Sequence, residues 1–336
     1  MSFFLPTLKK NGLLEEVAIA ICNVGSRKVC QQDDYGSQDW GIFAPNLKIY
    51  GFDADADACE AANAALESRS ISWEERHLPY ALGSEAAEAA TLYVTKNPMC
   101  SSLYPPNESY LARFAGLPEL VNLDFSVDLE LTTLDCVCQE EEIDRIDFLQ
   151  VDVQGADLSV LKGGNAILNR TVLAVQVEVE FSSLYSQQPL FADVDTYLRQ
   201  QGFTLFDLAK AYRVRSRSPI HSSAHPGQLL WGDAFYLRDA IAPEADPAFK
   251  TPDTLLTLAC VADVLGFSDY ALEILEYLTL NHGDNPRYNF ADSIIQSLAQ
   301  VPQFREQGLG TLTIAANLRD YLSQASESLL AIPSTQ

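Results

Sequence analysis

The chain has 336 residues, 47% of them apolar, which is enough for a sizeable core and for two domains or one large domain with an extension. Its 46 acidic residues against 22 basic ones leave a net charge of -24. Such a surface repels phosphate backbones and anionic lipid, so nucleic-acid and membrane partners are disfavoured; acidity of this kind also simply keeps a protein soluble.

The N-terminal MSFFLPTLKK puts its apolar run before its lysines, the reverse of a signal peptide, and no apolar run approaches the ~18 residues of a membrane span. The seven cysteines are scattered, and Cys136 and Cys138 have the spacing of neither a zinc knuckle nor a CxxC pair. They read as small buried hydrophobes in a reducing compartment, which makes a cytoplasmic protein the expectation.

Glu16 to Asn23 (EVAIAICN) is expected to be a buried strand, closed by the turn Asn23-Val24-Gly25-Ser26. Residues 27 to 46 have few periodic apolar positions and read as loop with room for a short helix. Leu47 to Phe52 is a second apolar strand and ends in Asp53; an alanine-rich helix comes next, over Asp55 to Ser68. Ser72 to Gly83 holds a third strand and the turn Ala81-Leu82-Gly83, and Ala90 to Thr95 alternates like an added strand. Asn97 to Asn107 (NPMCSSLYPPN) is loop by composition. Val127 to Leu131 is another short strand.

Ile146 to Gly164 (IDFLQVDVQGADLSVLKGG) is the most informative stretch. It begins as a buried strand and breaks at Asp152 and Gly155. It then takes helical spacing through Leu158 and Leu161 and stops at Gly163-Gly164. Val172 to Phe181 is a long strand that alternates only at its end, where Glu178 and Glu180 share a face. Phe191 to Gln201 is an amphipathic helix stopped by Gly202, and Phe203 to Asp207 and Ala234 to Leu237 are the last strands. Alternation of strands and helices implies right-handed crossovers and a mainly parallel sheet. Pro243, Pro247 and Pro252 mark a boundary. Beyond it the pattern is helical, with one stripe through Leu255, Leu258, Ala259, Ala262 and Leu265 and another through Tyr270, Ala271, Ile274, Leu275 and Leu278. The expected organisation is an α/β domain over residues 1–245 and a helical C-terminal extension over residues 246–336.

Open α/β sheets bind ligands outside the carboxyl ends of their strands. Asp53 and Asp152 are both strand-end acids, about a hundred residues apart, and together suggest a nucleoside site. In such a site the Asn23-Gly25-Ser26 turn approaches the ligand, Asp53 accepts the ribose hydroxyls, Tyr80-Ala81-Leu82 line an adenine slot and Asp152 closes the floor. There is no GxGxxG: Ser26, Arg27, Lys28 and Val29 come after Gly25. A pyrophosphate cradle is therefore lacking, which argues against NAD or FAD and fits a cofactor without phosphates, such as S-adenosylmethionine. The bland alternative for Gly25 is an ordinary loop glycine, for Asp53 a solvated loop acid, and for Glu178 and Glu180 a solvent-facing strand edge. His221 and His225 lie in RSRSPIHSSAHPG, where Pro219 and Pro226 disfavour the helix that would bring them together, so no metal site is expected. No GxSxG, HExxH or P-loop pattern is present.

These segments resemble the FkbM-type S-adenosylmethionine-dependent methyltransferases. The resemblance runs over about residues 15 to 240 and is carried by GFDADADACEAAN, TLYVTKNPMCSSLYPPN, IDFLQVDVQGADLSVLKGG and PLFADVDTYLRQQGFTLFDL. It implies a Rossmann-like seven-stranded sheet with one antiparallel strand and helices on both faces, and methyl transfer, usually to oxygen, in natural-product or glycan chemistry. Carried over by residue, it implies cofactor contacts from Asn23, Gly25, Ser26, Asp53 and Asp152; Ala81 and Leu82 add the expected adenine slot, and Asp152 or Glu178 is the expected base for the acceptor's hydroxyl proton. The loop around Ser101, Ser102 and Tyr104 would cover the site or touch the acceptor. The chain departs from the family at the first turn, where Asn23 stands for an acid and Lys28 and Val29 for glycines. It also has Asp53-Ala54 where glutamate-proline is usual and Gln150 for a common lysine, while Gln154 is an accepted variant of a glutamate. The competing expectation is a methyltransferase-like binding or scaffold protein whose altered turn holds no cofactor, with the helical extension serving a partner or a second copy of the chain.

Overall fold

The computed structural model describes residues 2–27, 34–220, 222 and 224–331. The chain divides into two compact units. One comprises Ala20–Asp34 and Lys48–Arg238, the other Met1–Ile19, Tyr35–Leu47 and Asp239–Gln336. The helical unit thus includes two N-terminal segments as well as the C-terminal helices that the sequence pattern groups by themselves.

Among the described residues, ten strands form two sheets. They are β1 (Ile19–Val24), β2 (Leu47–Phe52), β3 (Glu74–Leu78), β4 (Ala81–Leu82), β5 (Ala87–Thr95), β6 (Leu123–Thr132), β7 (Phe148–Val151), β8 (Ala174–Glu180), β9 (Thr204–Arg213) and β10 (Gln228–Leu237). Seven of them make the main sheet in the order β3-β2-β1-β7-β8-β10-β9. β2 with β3, β1 with β7 and β7 with β8 run parallel, while β10 is antiparallel to both its neighbours. This is the expected seven-stranded sheet with one reversed strand. The order turns back between β1 and β7, and right-handed crossovers leaving that point in opposite directions place helices on both faces.

The central strands are apolar because both faces are covered: every residue of β1 is buried, as are Phe148, Leu149 and Val151 of β7. Their core continues through Leu134, Val137, Val160, Leu161, Leu168, Val175, Val177 and Leu198. Asp147, 1% exposed, pins the start of β7 to its neighbours. Its carboxylate accepts the Ala20 N–H at 2.8 Å and the Arg145 Nε–H at 2.7 Å, and its carbonyl accepts the N–H groups of Leu173 and Ala174.

The second sheet has the order β4-β6-β5. β5 and β6 pair antiparallel over most of their lengths, so the two short strands expected from Ala90 and Val127 onward are one longer ribbon. β9 and β10 likewise extend beyond the expected Phe203–Asp207 and Ala234–Leu237. Of the expected loop over residues 27 to 46, the described part contains two 3-10 turns, Tyr35–Ser37 and Asp39–Phe43, with Trp40 and Phe43 buried; residues 28–33, including Lys28 and Val29, lie outside the described residues. Cys22, Cys59, Cys138 and Cys260 are buried thiols without disulfides.

In the helical unit the stripe through Leu255, Leu258, Ala259 and Ala262 and the stripe through Tyr270, Ala271, Ile274, Leu275 and Leu278 are buried in the helices Pro252–Val264 and Ser268–His282. The N-terminal apolar run is a short helix, Leu5–Lys10, with Phe4, Leu5 and Leu8 buried. Its orphan N–H groups need acceptors. Buried Asp263 supplies them, taking the N–H groups of Phe3, Phe4 and Leu5 at 3.0, 2.8 and 3.0 Å. Among the described residues, no helix is long and apolar enough to cross a membrane.

Burial pushes the Asp147 carboxyl up from 3.8 to about 6, against the pull of Arg145 and the Ala20 N–H. The folded state therefore holds this proton more tightly than the unfolded chain. The resulting stabilisation is full below about pH 4 and disappears as pH rises through about 6, a change on the order of 3 kcal/mol. Asp147→Asn should flatten the fall in unfolding free energy between pH 4 and 7, measured by urea titration. An unchanged slope would show that Asp147 is ionised throughout.

Candidate active site

A cavity of about 580 Å³ lies at the carboxyl ends of the parallel strands. Its lining includes Gly25 and Arg27 after β1, Asp53 and Asp55 after β2, Tyr80, Ala81 and Leu82 after β3, and Asp152, Val153 and Gln154 after β7. Ser101, Ser102 and Leu103 and one face of the β5–β6 ribbon complete it.

Of the residues singled out in sequence, Gly25, Asp53, Ala81, Leu82 and Asp152 meet around this one cavity. Gly25 has φ +86°, and a Cβ built there would sit 1.9 Å from the Asp152 carbonyl oxygen. The Gly25 N–H donates to the Phe52 carbonyl and the Asp152 N–H to the Val24 carbonyl. Glycine is thus required because the ends of β1, β2 and β7 close on one another here.

Three other singled-out residues are not among those lining the cavity. Asn23 is buried in β1 opposite Gln150, and its Oδ1 has no hydrogen-bond partner among the described residues. Ser26 is buried with its hydroxyl 3.0 Å from His77 Nδ1. Glu178 lies behind the floor on β8, opposite Asp233 of β10. In the loop, Ser102 anchors the backbone by donating to the Gln154 carbonyl at 2.6 Å, while Tyr104 packs with Leu111 and Phe114 in a separate cluster. His225 is exposed and His221 lies outside the described residues, so nothing is described of that pair.

Asp53 accepts the Asp55 N–H at 2.9 Å. Burial raises its carboxyl above the ordinary range, and the nearby Arg27 pulls it back. Arg27 pairs with Asp55, which also caps the helix Ala56–Glu67 through the Ala58 N–H. Arg27 and Asp55 were not singled out in sequence. The Asp55-Ala-Asp start of an alanine-rich helix is a readable capping signal, but the pairing of Asp55 with Arg27 had none.

The third residue missed as a site residue is Gln154, which carries the floor. Its backbone is left-handed, φ +57°. Its Nε2 donates to Asp152 Oδ1 at 2.8 Å and to Glu178 Oε2 at 2.7 Å, and its Oε1 lies 3.0 Å from the Tyr185 hydroxyl. The amide therefore separates two carboxylates and donates one proton to each. Behind it, burial raises Glu178 well above the usual range, with Asp152, Glu180, Asp157 and Asp233 adding like-charge repulsion. Asp157, whose carboxylate accepts the N–H groups of Val153 and Gly155, fixes the turn that holds Gln154.

A sheet of this strand order with acids at the ends of β2 and β7 is a Rossmann-like methyltransferase sheet. Residues 45–205 match the methyltransferase FkbM domain family. That match covers just under half of the chain and supports the S-adenosylmethionine-dependent methyltransferase class expected from the sequence. The match begins at residue 45, so β1 and the divergent Asn23-Gly25-Ser26 turn fall outside it.

Among solved structures, the chain is similar to TrmK of M. capricolum in complex with S-adenosyl-homocysteine, at 10% identity and a TM-score of 0.35, over 88% of this chain and 96% of that one. It is also similar to the N-terminal domain of EvdMO1 in the presence of S-adenosyl-homocysteine and D-fucose, at 10% identity and 0.30, over 71% and 84%. These scores are low, and the fold class rests on the strand order and the family match. No curated protein matches the sequence.

Gln154→Ala should destabilise the protein by about 1–3 kcal/mol at pH 7, because Asp152 and Glu178 lose their shared donor and face each other. The loss should shrink as pH falls and one carboxyl takes a proton. Urea titrations at pH 7 and pH 5 measure both; a loss that is nil, or equal at the two pH values, would remove Gln154 from this role.

Proposed function

We propose that the chain transfers a methyl group from S-adenosylmethionine to a hydroxyl of a small-molecule acceptor, a natural product or glycan. The observation supporting it is the meeting of Gly25, Asp53, Ala81, Leu82 and Asp152 around one cavity at the topological switch point of the sheet. The residues fit the cofactor. The volume of about 580 Å³ falls within the ~300–1,000 Å³ of small-molecule sites. Asp53 offers carboxylate oxygens of the kind that accept ribose hydroxyls, and Tyr80, Ala81 and Leu82 offer a largely apolar slot for adenine.

S-adenosylmethionine supplies a methyl group already activated by its sulfonium, so the protein needs no nucleophile of its own. Its contribution is alignment and exclusion of water, worth up to ~7–11 kcal/mol in ideal cases. Asp152 is the base that takes the acceptor's hydroxyl proton, an effect of about 10²–10⁴-fold. Gln154 holds its carboxylate in place, and Glu178 sits behind as a second carboxyl on the same amide.

The second reading is a methyltransferase-like binding protein without catalysis. Asn23 favours it, because it replaces an acid and lies outside the cavity lining. Thermal unfolding with S-adenosylhomocysteine separates the two. Ligand at a hundredfold excess over its Kd stabilises by about 2.7 kcal/mol and raises the Tm; no shift at millimolar ligand would favour the binding protein.

Asp53→Ala should weaken S-adenosylhomocysteine binding roughly 10- to 150-fold by calorimetry, the loss of about 1.5–3 kcal/mol expected for hydrogen bonds to a charged group. Asp152→Asn should leave that affinity within a few-fold and lower kcat about 10²–10⁴-fold. An Asp53→Ala protein that binds normally would remove the ribose assignment.

A further inference from the structure

The β5–β6 ribbon is two-faced. Side chains alternate along each strand, and the register stacks Ala90 on Leu129, Leu92 on Val127 and Val94 on Phe125. The intervening pairs, Thr91 with Asp128 and Tyr93 with Ser126, are polar and take the other face. Leu92, Val94, Phe125, Val127 and Leu129 line the cavity. Yet this face is open: Phe125 is 54% exposed, Val127 45%, and Met99 beside them 45%. Among the described residues, five of the seven large exposed hydrophobics, these three with Leu120 and Leu123, fall in this ribbon or in the two hydrogen-bonded segments that flank its end, Met99 after β5 and Leu120 before β6. A cluster of this kind marks a binding surface.

We propose that this apolar wall is the acceptor subsite and that the acceptor is an uncharged molecule with an apolar body, an aromatic or long-chain alcohol, rather than a sugar. The inference rests on the methyltransferase reading. A sugar needs spaced donors and acceptors from its wall, and the ribbon residues lining the cavity are five hydrocarbon side chains against two polar ones, Thr95 and Asp124, with the Thr95 hydroxyl already donating to the Asn97 carbonyl. An anionic acceptor is disfavoured by the lining, which has Asp53, Asp55, Asp124 and Asp152 against Arg27 and Lys96, with Arg27 already paired to Asp55. The wall is continuous with Asp152 through Ser101, Ser102 and Leu103, so a body resting on it keeps its hydroxyl within the same cavity as the base. That continuity favours a small molecule over a second copy of the chain.

The neutral fluorophore N-phenyl-1-naphthylamine probes the wall directly. Titrated into the full chain, it should bind saturably at one site, be displaced by a hydrophobic phenol and not be displaced by glucose. Val127→Asp and Phe125→Ser should each weaken it roughly tenfold, as loss of a buried apolar contact does, with S-adenosylhomocysteine affinity and unfolding midpoint retained. Absence of saturable binding, displacement by glucose, or affinity unchanged in both variants would overturn the proposal. So would probe binding that tracks self-association in sedimentation and vanishes in the monomer. The probe needs no cofactor: a chain that binds it as described but never binds S-adenosylhomocysteine contradicts the methyltransferase reading and leaves the apolar subsite standing.

Discussion

The ends of β1, β2 and β7 are closed on one another at a single glycine. Gly25 donates to Phe52, Asp152 donates to Val24, and the space a Cβ would need at position 25 is held by the Asp152 carbonyl. Any side chain there would force the strands apart, because the contact is backbone against backbone and cannot be relieved by a rotamer change. This closure carries Asp53 and Asp152, distant in the chain, to one cavity. The parallel order supplies the edge, the glycine supplies the approach, and the acids become neighbours as a result.

The same closure crowds negative charge. Asp152, Glu178, Glu180, Asp157 and Asp233 are concentrated at or behind the floor, and burial together with mutual repulsion raises the carboxyls of Asp157, Glu178, Glu180 and Asp233. Gln154 makes the arrangement tenable. A glutamate in its place would add a further negative charge where two carboxylates need donors. The strained φ of Gln154 is held by the Asp157 turn below and the Ser102 hydroxyl above. The loop over the cavity and the acids under it are therefore coupled through one residue.

The main sheet was legible because its strands are buried on both faces and its helices carry clear caps and stops. Asp53 and Asp152 stood out since each ends an uninterrupted apolar run. Direction of side chains was less legible. Asn23 and Ser26 belong to the same turn as Gly25, but Ser26 turns to His77 and Asn23 stays within the sheet. Glu178 was visible as an acid on an alternating strand, whereas its separation from the cavity by Gln154 depends on a left-handed backbone that spacing does not encode. β6 read short because Ser126, Asp128 and Glu130 dilute its apolar positions; that same alternation makes its cavity-facing wall. The membership of residues 1–19 and 35–47 in the helical unit has no local signal, since it depends on long-range contacts such as Asp263 with the first helix.

Hydrogen–deuterium exchange with and without S-adenosylhomocysteine tests the convergence most directly. The account predicts slowed exchange in residues 24–27, 52–55, 80–82 and 151–156 together, at ligand concentrations that leave the helices of residues 252–298 unchanged. Protection absent from these four segments, or confined to one of them, would contradict a shared cofactor cavity at this edge of the sheet.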